Sequence, residues 1–184
     1  MDCSQIIKEA NRFGLGQIHH EWLNLLKFLD TIKPEVIVEI GSNKGGSSYS
    51  LANFAKHLIC VDIKDICKSK GAIRAKCNFD FIVGDSKDKN TIKIVEEKLN
   101  NQKIDFLFID GDHSYEGVKA DFENFSKLVK PGGYIAFHDI VKSSHHIGKN
   151  CLVFKLWEEI RSKYPGCIEY KSGNVWAGIG IVKV

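Results

Sequence analysis

Short apolar segments that alternate with helix-like segments constrain the fold of this chain more than any other feature. Five segments have the length and the Val, Ile and Phe content of β-strands: residues 36–40, 58–62, 81–85, 104–110 and 134–139. Most are apolar on both faces, which is typical of parallel strands covered by helices. Between them lie segments of helical periodicity at residues 47–55, 89–99 and 117–129. The alternation predicts a doubly wound α/β fold with right-handed crossovers.

Both flanks of this alternating region also carry structural signals. Residues 19–32 predict an amphipathic helix with one apolar stripe. The stripe consists of Trp22, Leu25, Leu26 and Leu29. Residues 153–163 predict another helix, and the tail after it predicts two strands around a turn at Ser172-Gly173-Asn174. Because domains average about 150 residues, a chain of 184 residues is expected to form one domain.

Composition excludes several other classes of protein. The net charge is +3, from 26 basic and 23 acidic residues, and only three of the basic residues are arginine. A nucleic-acid partner is therefore not expected. The six cysteines contain no C-x-x-C pair, which favours reduced thiols. Because no segment is typical of a signal peptide or a membrane span, we expect a cytoplasmic protein that does not bind membranes.

A glycine-rich turn follows the first predicted strand, at the edge where α/β sheets of this kind bind ligands. Gly41, Gly45 and Gly46 allow the backbone to approach a ligand and direct amide groups of the next helix towards it. Their spacing matches neither G-x-G-x-x-G nor G-x-x-x-x-G-K-[ST]. A cofactor bound through a pyrophosphate is therefore disfavoured.

Acidic residues stand at three successive strand ends. Glu39 precedes the glycine turn, Asp62 ends the second predicted strand and Asp85 ends the third. A carboxylate about 20 residues after the glycine turn is suited to accept hydrogen bonds from ribose hydroxyls. Asp85, one strand further, is suited to meet an adenine edge. The three acids and the glycine turn together indicate a cofactor that contains a nucleoside.

These segments resemble the class I S-adenosylmethionine-dependent methyltransferases. The segment VEIGSNKGGSS is similar to their first motif, ICVDI to the acid that ends their second strand, and VGDS to their adenine-contacting turn. The resemblance implies a Rossmann-like, mostly parallel seven-stranded sheet that closes with a C-terminal antiparallel hairpin. It also implies a single methyltransferase domain over residues 1–184, in which residues 1–33 form an N-terminal helical extension.

The same resemblance implies S-adenosylmethionine as the cofactor and assigns residues to it. Gly41 and its neighbours are expected to face the methionine part, Asp62 the ribose, and Asp85 with Ser86 the adenine. The full set of expected cofactor-binding residues is Glu39, Gly41, Ser42, Gly45, Asp62, Ile63, Asp85, Ser86 and Asp110.

The region from the fourth predicted strand onwards resembles a subgroup of these enzymes. IDGDHSYEGVKADFENFSKLVKPGGYIAFHDI is similar to sugar and macrolide O-methyltransferases and to cephalosporin hydroxylase-like proteins, several of which bind a divalent metal. Carried over to this chain, the metal ligands are Asp110, His138 and Asp139. His113 matches the base of related sugar methyltransferases, and imidazole suits that task because its unperturbed pKa is about 6.5. The expected catalytic residues are therefore His113 and Asp110.

The expected reaction is the methylation of a small-molecule hydroxyl, on a sugar or a natural product, assisted by magnesium or manganese. Some relatives have an acid where this chain has His138. This departure leaves two alternatives: an imidazole ligand that favours manganese, iron or another transition metal, or a His138 that does not bind the metal. His145 and His146 are candidates to cover the acceptor site, whereas Trp176 is expected to be structural. The N-terminal amphipathic helix allows a homodimer.

Two other functions remain open from the sequence. The resemblance to cephalosporin hydroxylase allows a non-haem iron oxygenase in which His113, His138 and a carboxylate form a facial triad. The chain could instead be a binding module that keeps the cofactor fold without catalysis. Iron- and oxygen-dependent turnover would indicate the oxygenase, and tight cofactor binding without any acceptor would indicate the module.

Overall fold

The computed structural model describes residues 2–173 and 176–184, which form a seven-stranded sheet between two layers of helices. The strands are β1 (Val36–Ile40), β2 (His57–Asp62), β3 (Asn78–Val83), β4 (Ile104–Ile109), β5 (Val129–His138), β6 (Ile168–Tyr170) and β7 (Ile179–Lys183). Their order is β3-β2-β1-β4-β5-β7-β6. β1 to β5 are parallel, and β7 is antiparallel to both of its neighbours. The predicted fold class is confirmed.

Helices precede the sheet and connect its strands. Those in the described residues are α1 (Cys3–Ala10), α2 (His19–Ile32), α3 (Gly46–Leu51), α4 (Lys70–Arg74), α5 (Lys89–Leu99), α6 (Tyr115–Phe125), α7 (Ser144–Gly148) and α8 (Val153–Lys163). The patterns predicted α2, α5 and α8 with these bounds. The helix predicted over residues 117–129 ends earlier, because residues 126–128 form a 3₁₀ turn and Val129 begins β5.

The sequence patterns did not indicate three short helices. These are α1, α4 and α7, which have only five to eight residues each. So few turns carry little periodicity to recognise. The predicted C-terminal strands pair as β6 and β7. Asn174, in the turn predicted between them, lies outside the described residues.

Apolar side chains cover both faces of the sheet. α5, α6 and α8 pack on one face, and α1, α2 and α3 pack on the other. The apolar stripe of α2 is completely buried, and the ring of Trp22 lies 5.3 Å from that of Phe108 in β4. The stripe therefore packs against the sheet of its own chain, which leaves it unavailable to a second copy.

The structure also bears on two features of composition. Across residues 2–173 and 176–184, no disulfide joins any of the cysteines. None of the helices in these ranges is long and apolar enough to cross a membrane.

Candidate active site

The carboxyl ends of the parallel strands meet at one edge of the sheet, where two cavities lie side by side. The first cavity has a volume of about 460 Å³ and follows the ends of β1, β2 and β3. The second has a volume of about 380 Å³ and extends towards the N-terminal segment and the loop after β5. Gly41, Asn43, Asp110 and His113 line both cavities. The two cavities therefore share one wall, which these four residues form.

The glycine turn forms part of that wall because it packs directly on the end of β4. Gly41 has a φ of +88°, and a Cβ there would collide with the carbonyl oxygen of Asp110. Gly45 has a φ of +93°, and a Cβ there would collide with Ser69 and Cys67. Only glycine adopts this backbone without strain and fits these spaces.

Two of the three strand-end acids face the first cavity. Asp62 lines it, and its Oδ2 atom accepts hydrogen bonds from the amides of Ser42 and Asn43 at 2.9 and 2.7 Å. Asp85 also lines it. Beside them Ile63 is 67% exposed, which provides an apolar surface for a planar base. The structure therefore brings together the expected ribose and adenine contacts.

Two expected cofactor-binding residues of the glycine turn do not line the first cavity: Ser42 lines only the second cavity, and Gly45 lines neither. Glu39 lies further from the cavities. It is completely buried beneath the glycine turn and lines neither cavity. The Ser48 hydroxyl donates to its carboxylate, and so does the Cys60 thiol at 3.2 Å. Burial raises the pKa of Glu39. Because Ser48 lies in α3, this carboxylate ties the helix that follows the turn to the sheet.

The three expected metal ligands meet in the second cavity. His138 Nδ1 lies 3.2 Å from Asp110 Oδ1 and 3.3 Å from Asp139 Oδ1, and the three donor atoms all lie within 4.8 Å of one another. Ligands held at metal–ligand distances of about 2.0–2.2 Å are separated by roughly 3 Å, so this arrangement fits a metal ion. Asp110 follows β4, His138 is the last residue of β5, and Asp139 follows it with a φ of +62°.

His113 lies against the same carboxylates. Its Nε2 is 3.3 Å from Asp110 Oδ1, and its Nδ1 is 3.6 Å from Asp139 Oδ2. Its side chain is 43% exposed, so it remains accessible from both cavities. The hydrogen bond to Asp110 raises the pKa of His113 above its ordinary value.

The second cavity is strongly charged for a partly buried site. Burial alone would favour a neutral Asp110, but His138 and His113 outweigh it and hold the pKa of Asp110 far below its usual range. Burial likewise favours a neutral His138, yet Asp110 and Asp139 raise the pKa of His138 well above its usual range. His138 Nε2 is buried and has no hydrogen-bond partner among the described residues. Positive charge on the neighbouring histidines, His138 and His113, thus balances the two carboxylates, and a metal ion could take over that role.

Sequence reasoning missed several residues that line the second cavity. The Gln17 amide donates to Asp110 Oδ2 at 2.8 Å, Cys151 lies beside the carboxylates, and Trp176 is 42% exposed at the rim. Of the two candidate loop histidines, His145 is exposed. His146 is buried, with its Nδ1 at 2.6 Å from the carbonyl oxygen of Val141. Gln17 stands alone in a glycine-rich stretch, so no spacing pattern marks it.

Comparison with known proteins identifies the family. The methyltransferase domain family matches residues 38–140, which is more than half of the chain. The chain is 34% identical over 149 residues to the uncharacterized protein R132 of Acanthamoeba polyphaga mimivirus, covering 74% of this chain and 65% of that protein. It is 25% identical over 144 residues to the rhamnosyl O-methyltransferase of Mycobacterium leprae, covering 72% of this chain and 60% of that protein.

A solved structure agrees over the whole fold. The methyltransferase MycE of the mycinamycin biosynthetic pathway, in complex with Mg, SAH and mycinamycin VI, superposes with a TM-score of 0.68. The identity is 17%, and the match covers 100% of this chain and 54% of that one. The chain spans less than two thirds of each of the curated relatives it matches. The methyltransferase resemblance drawn from the sequence is confirmed: the chain belongs to the methyltransferase domain family.

Proposed function

We propose that this chain transfers a methyl group from S-adenosylmethionine to a hydroxyl of a small molecule, such as a sugar or a natural product, with the help of a divalent metal. One observation carries the proposal: Asp110 and His113 form the wall between a cavity suited to a nucleoside and a cavity with a metal-binding triad. A rhamnosyl O-methyltransferase among the relatives and the mycinamycin VI in the MycE complex support this class of acceptor.

The first cavity suits the cofactor in both shape and polarity. When bound, S-adenosylmethionine supplies an electrophilic methyl group on a sulfonium centre. The Asp62 carboxylate lies next to the glycine turn, and the exposed Ile63 side chain lines the same cavity. Gly41 leaves the wall towards Asp110 free of a side chain. These residues would bind and orient the cofactor so that its reactive end points towards the second cavity.

The second cavity suits a hydroxyl acceptor. Asp110, His138 and Asp139 would hold the divalent metal, which lowers the pKa of a hydroxyl bound to it. The Gln17 amide and the His113 ring orient Asp110. The chain therefore contributes positioning and charge at this site.

His113 is the residue suited to receive the acceptor proton. In the neutral ring, a proton on Nε2 is donated to Asp110 Oδ1, which leaves the Nδ1 lone pair available. Nδ1 then accepts the hydroxyl proton, and Asp139 Oδ2 at 3.6 Å stabilises the resulting imidazolium. S-adenosylmethionine would supply the methyl group in a single displacement, in which its S–C bond breaks, the O–C bond forms and the thioether leaves, so the chain need only hold the acceptor and take its proton.

One observation favours the oxygenase alternative: His113 and His138 both lie near Asp110 Oδ1, as a facial triad of two histidines and one carboxylate would require. It leaves the first cavity without a role, however, and it makes a metal ligand of His113. Methyl transfer uses both cavities, and it is the function that this geometry supports best.

The test compares His113→Ala with His20→Ala, an exposed histidine on α2. S-adenosylhomocysteine binding is measured by calorimetry, and methyl transfer is measured from labelled cofactor to rhamnosides and other hydroxyl compounds, with magnesium or manganese. We expect His113→Ala to bind S-adenosylhomocysteine like the wild type and to lose roughly 100-fold or more in turnover. Full turnover by His113→Ala would remove the assigned base, and absence of S-adenosylhomocysteine binding would overturn the function.

A further inference from the structure

A buried acid behind the first cavity has no part in the function proposed so far. Asp121 lies on α6, is completely buried and does not line the cavity. The hydroxyl of Ser86, which does line the cavity, donates to Asp121 Oδ1 at 2.5 Å. Ser86 follows β3, so this hydrogen bond joins a cavity residue to the helix after β4.

The second carboxylate oxygen of Asp121 makes no hydrogen bond that would stabilise the fold. Asp121 Oδ2 is buried without a hydrogen-bond partner in the described part of the chain, and a Cβ on Gly111 would lie 3.3 Å from it. A buried acceptor that receives no hydrogen bond destabilises the folded chain. A carboxylate at this position is therefore better explained by the hydrogen bond that its other oxygen accepts from Ser86 than by a contribution to stability.

The pairing determines what Ser86 offers to a ligand. A serine hydroxyl has one proton and two lone pairs. Because its proton is donated to Asp121, the Oγ atom has only lone pairs left for a ligand and can only accept. The strand order β3-β2-β1-β4 determines which part of a ligand meets it. A nucleoside with its ribose at the end of β2 and its reactive end at β4 extends its base to the end of β3, where Ser86 lies.

We propose that Asp121 is a positioning residue that fixes the Ser86 hydroxyl as an acceptor and so makes the cofactor cavity select a 6-aminopurine over a 6-oxopurine. An amino group at this position donates to Ser86. A carbonyl oxygen meets its lone pairs instead, which leaves two acceptors facing each other. The inference rests on the proposed function, because that function defines the cofactor as an adenosine derivative.

The same contact makes the selection depend on pH. Burial raises the pKa of Asp121 to about 6. The charged groups that face it are Asp85 and Lys87 from the loop after β3 and Asp112 from the loop after β4, and Lys87 pairs with Asp112 at 2.9 Å. Above this pKa the carboxylate only accepts. Below it the protonated acid can donate to Ser86, which frees the serine proton for a 6-oxo group.

The experiment measures calorimetric affinities of S-adenosylhomocysteine and S-inosylhomocysteine at pH 8 and pH 5.5. The wild type is compared with Asp121→Leu, Ser86→Ala and the control Glu123→Leu. Glu123 is on the same helix, but it is exposed and pairs only with Lys119, at 3.9 Å, within the described part of the chain. We expect the wild type to prefer the adenosyl ligand roughly 10- to 100-fold at pH 8, and less at pH 5.5.

Asp121→Leu should lose most of this preference by gaining affinity for S-inosylhomocysteine, since Ser86 can then donate, and it should lose the pH dependence. Ser86→Ala should lose the preference through weaker S-adenosylhomocysteine binding, while Glu123→Leu keeps it. A parallel loss of both ligands in Asp121→Leu, with Ser86→Ala unchanged, would overturn the inference and leave the proposed function standing. Failure of the wild type to bind S-adenosylhomocysteine would overturn both.

Discussion

The two cavities that meet at Asp110 differ in the parts of the chain that build them. The first is lined by residues 40 to 113, all at or near the ends of parallel strands. The second takes residues from 14 to 176, including the N-terminal segment, the loop after β5 and Trp176. The cofactor side is thus fixed by the topology of the sheet. The acceptor side is fixed by loops, which can change without changing the fold.

The cavities also differ in how their charges are balanced. In the first cavity, Asp62 Oδ2 accepts hydrogen bonds from the backbone amides of Ser42 and Asn43, so this carboxylate needs no cation beside it. Asp110 and Asp139 instead share the imidazole of His138 in a nearly buried site. We therefore expect backbone changes to damage the first cavity and charge changes to damage the second.

The largest effect is expected from Gly41→Ala. The substitution forces an alanine to a φ of +88° and places its Cβ against the carbonyl of Asp110, so the wall between the cavities must move. S-adenosylhomocysteine binding should fall below detection by calorimetry. The melting temperature should fall as well, by about 2–4 °C for each kcal/mol lost in a protein of this size.

Gly71→Ala is the matched control. Gly71 lies in α4, its φ is not positive, and a Cβ added there would meet no described atom within 4 Å outside its own helix. Alanine in a helix is favoured over glycine by about 1 kcal/mol, so the control should bind normally and melt at the same or a higher temperature. Normal binding by Gly41→Ala would show that the wall tolerates a side chain.

The same contrast explains what could be predicted from the sequence. The alternating segments indicated the sheet, and the acids Asp62, Asp85 and Asp110 were recognisable because carboxyl ends of parallel strands converge. Glu39 follows the same rule in sequence, yet its side chain points beneath the glycine turn rather than into a cavity. A strand-end position specifies which edge a residue reaches, but not which face its side chain takes.

The acceptor side was less predictable because its contacts are long-range. Gln17 and Asp110 are 93 positions apart, and no periodic pattern connects them. His138 and Asp139 were found only through the family resemblance. Trp176 was expected to be structural, but it lines the second cavity at 42% exposure. The packing of loops determines which of these distant residues become neighbours. Local spacing in a single sequence does not reveal that packing.

His138→Asp changes the charge balance of the second cavity, and its effect is expected to be the second largest. The wild-type set of two carboxylates and one imidazole favours transition metals, whereas three carboxylates favour magnesium. We expect the ratio of manganese to magnesium affinity, measured by equilibrium dialysis, to fall roughly 10- to 100-fold in the variant. Without metal, three adjacent carboxylates repel one another, so the melting temperature of the variant should rise markedly on addition of magnesium.

His19→Asp is the control for this change, because His19 is exposed at the start of α2 and lies outside both cavities. It should leave metal affinity and its selectivity unchanged. Unaltered metal selectivity in His138→Asp would mean that His138 is not a ligand and that its imidazolium balances the carboxylates instead.

The smallest effect is expected from Gln17→Leu. This substitution tests whether metal binding in the second cavity can change without a change of cofactor binding in the first. Gln17 contacts Asp110 from the second cavity only, and its Oε1 atom is buried without a partner among the described residues. Leucine removes the hydrogen bond that orients Asp110, which should weaken metal binding about tenfold. It also removes the buried acceptor, so folding stability should change little.

S-adenosylhomocysteine affinity should stay constant, as in the control Gln102→Leu at an exposed loop position. Equal losses of metal and S-adenosylhomocysteine would show that the cavities act as one site, because Asp110 would then transmit a change in one cavity directly to the other.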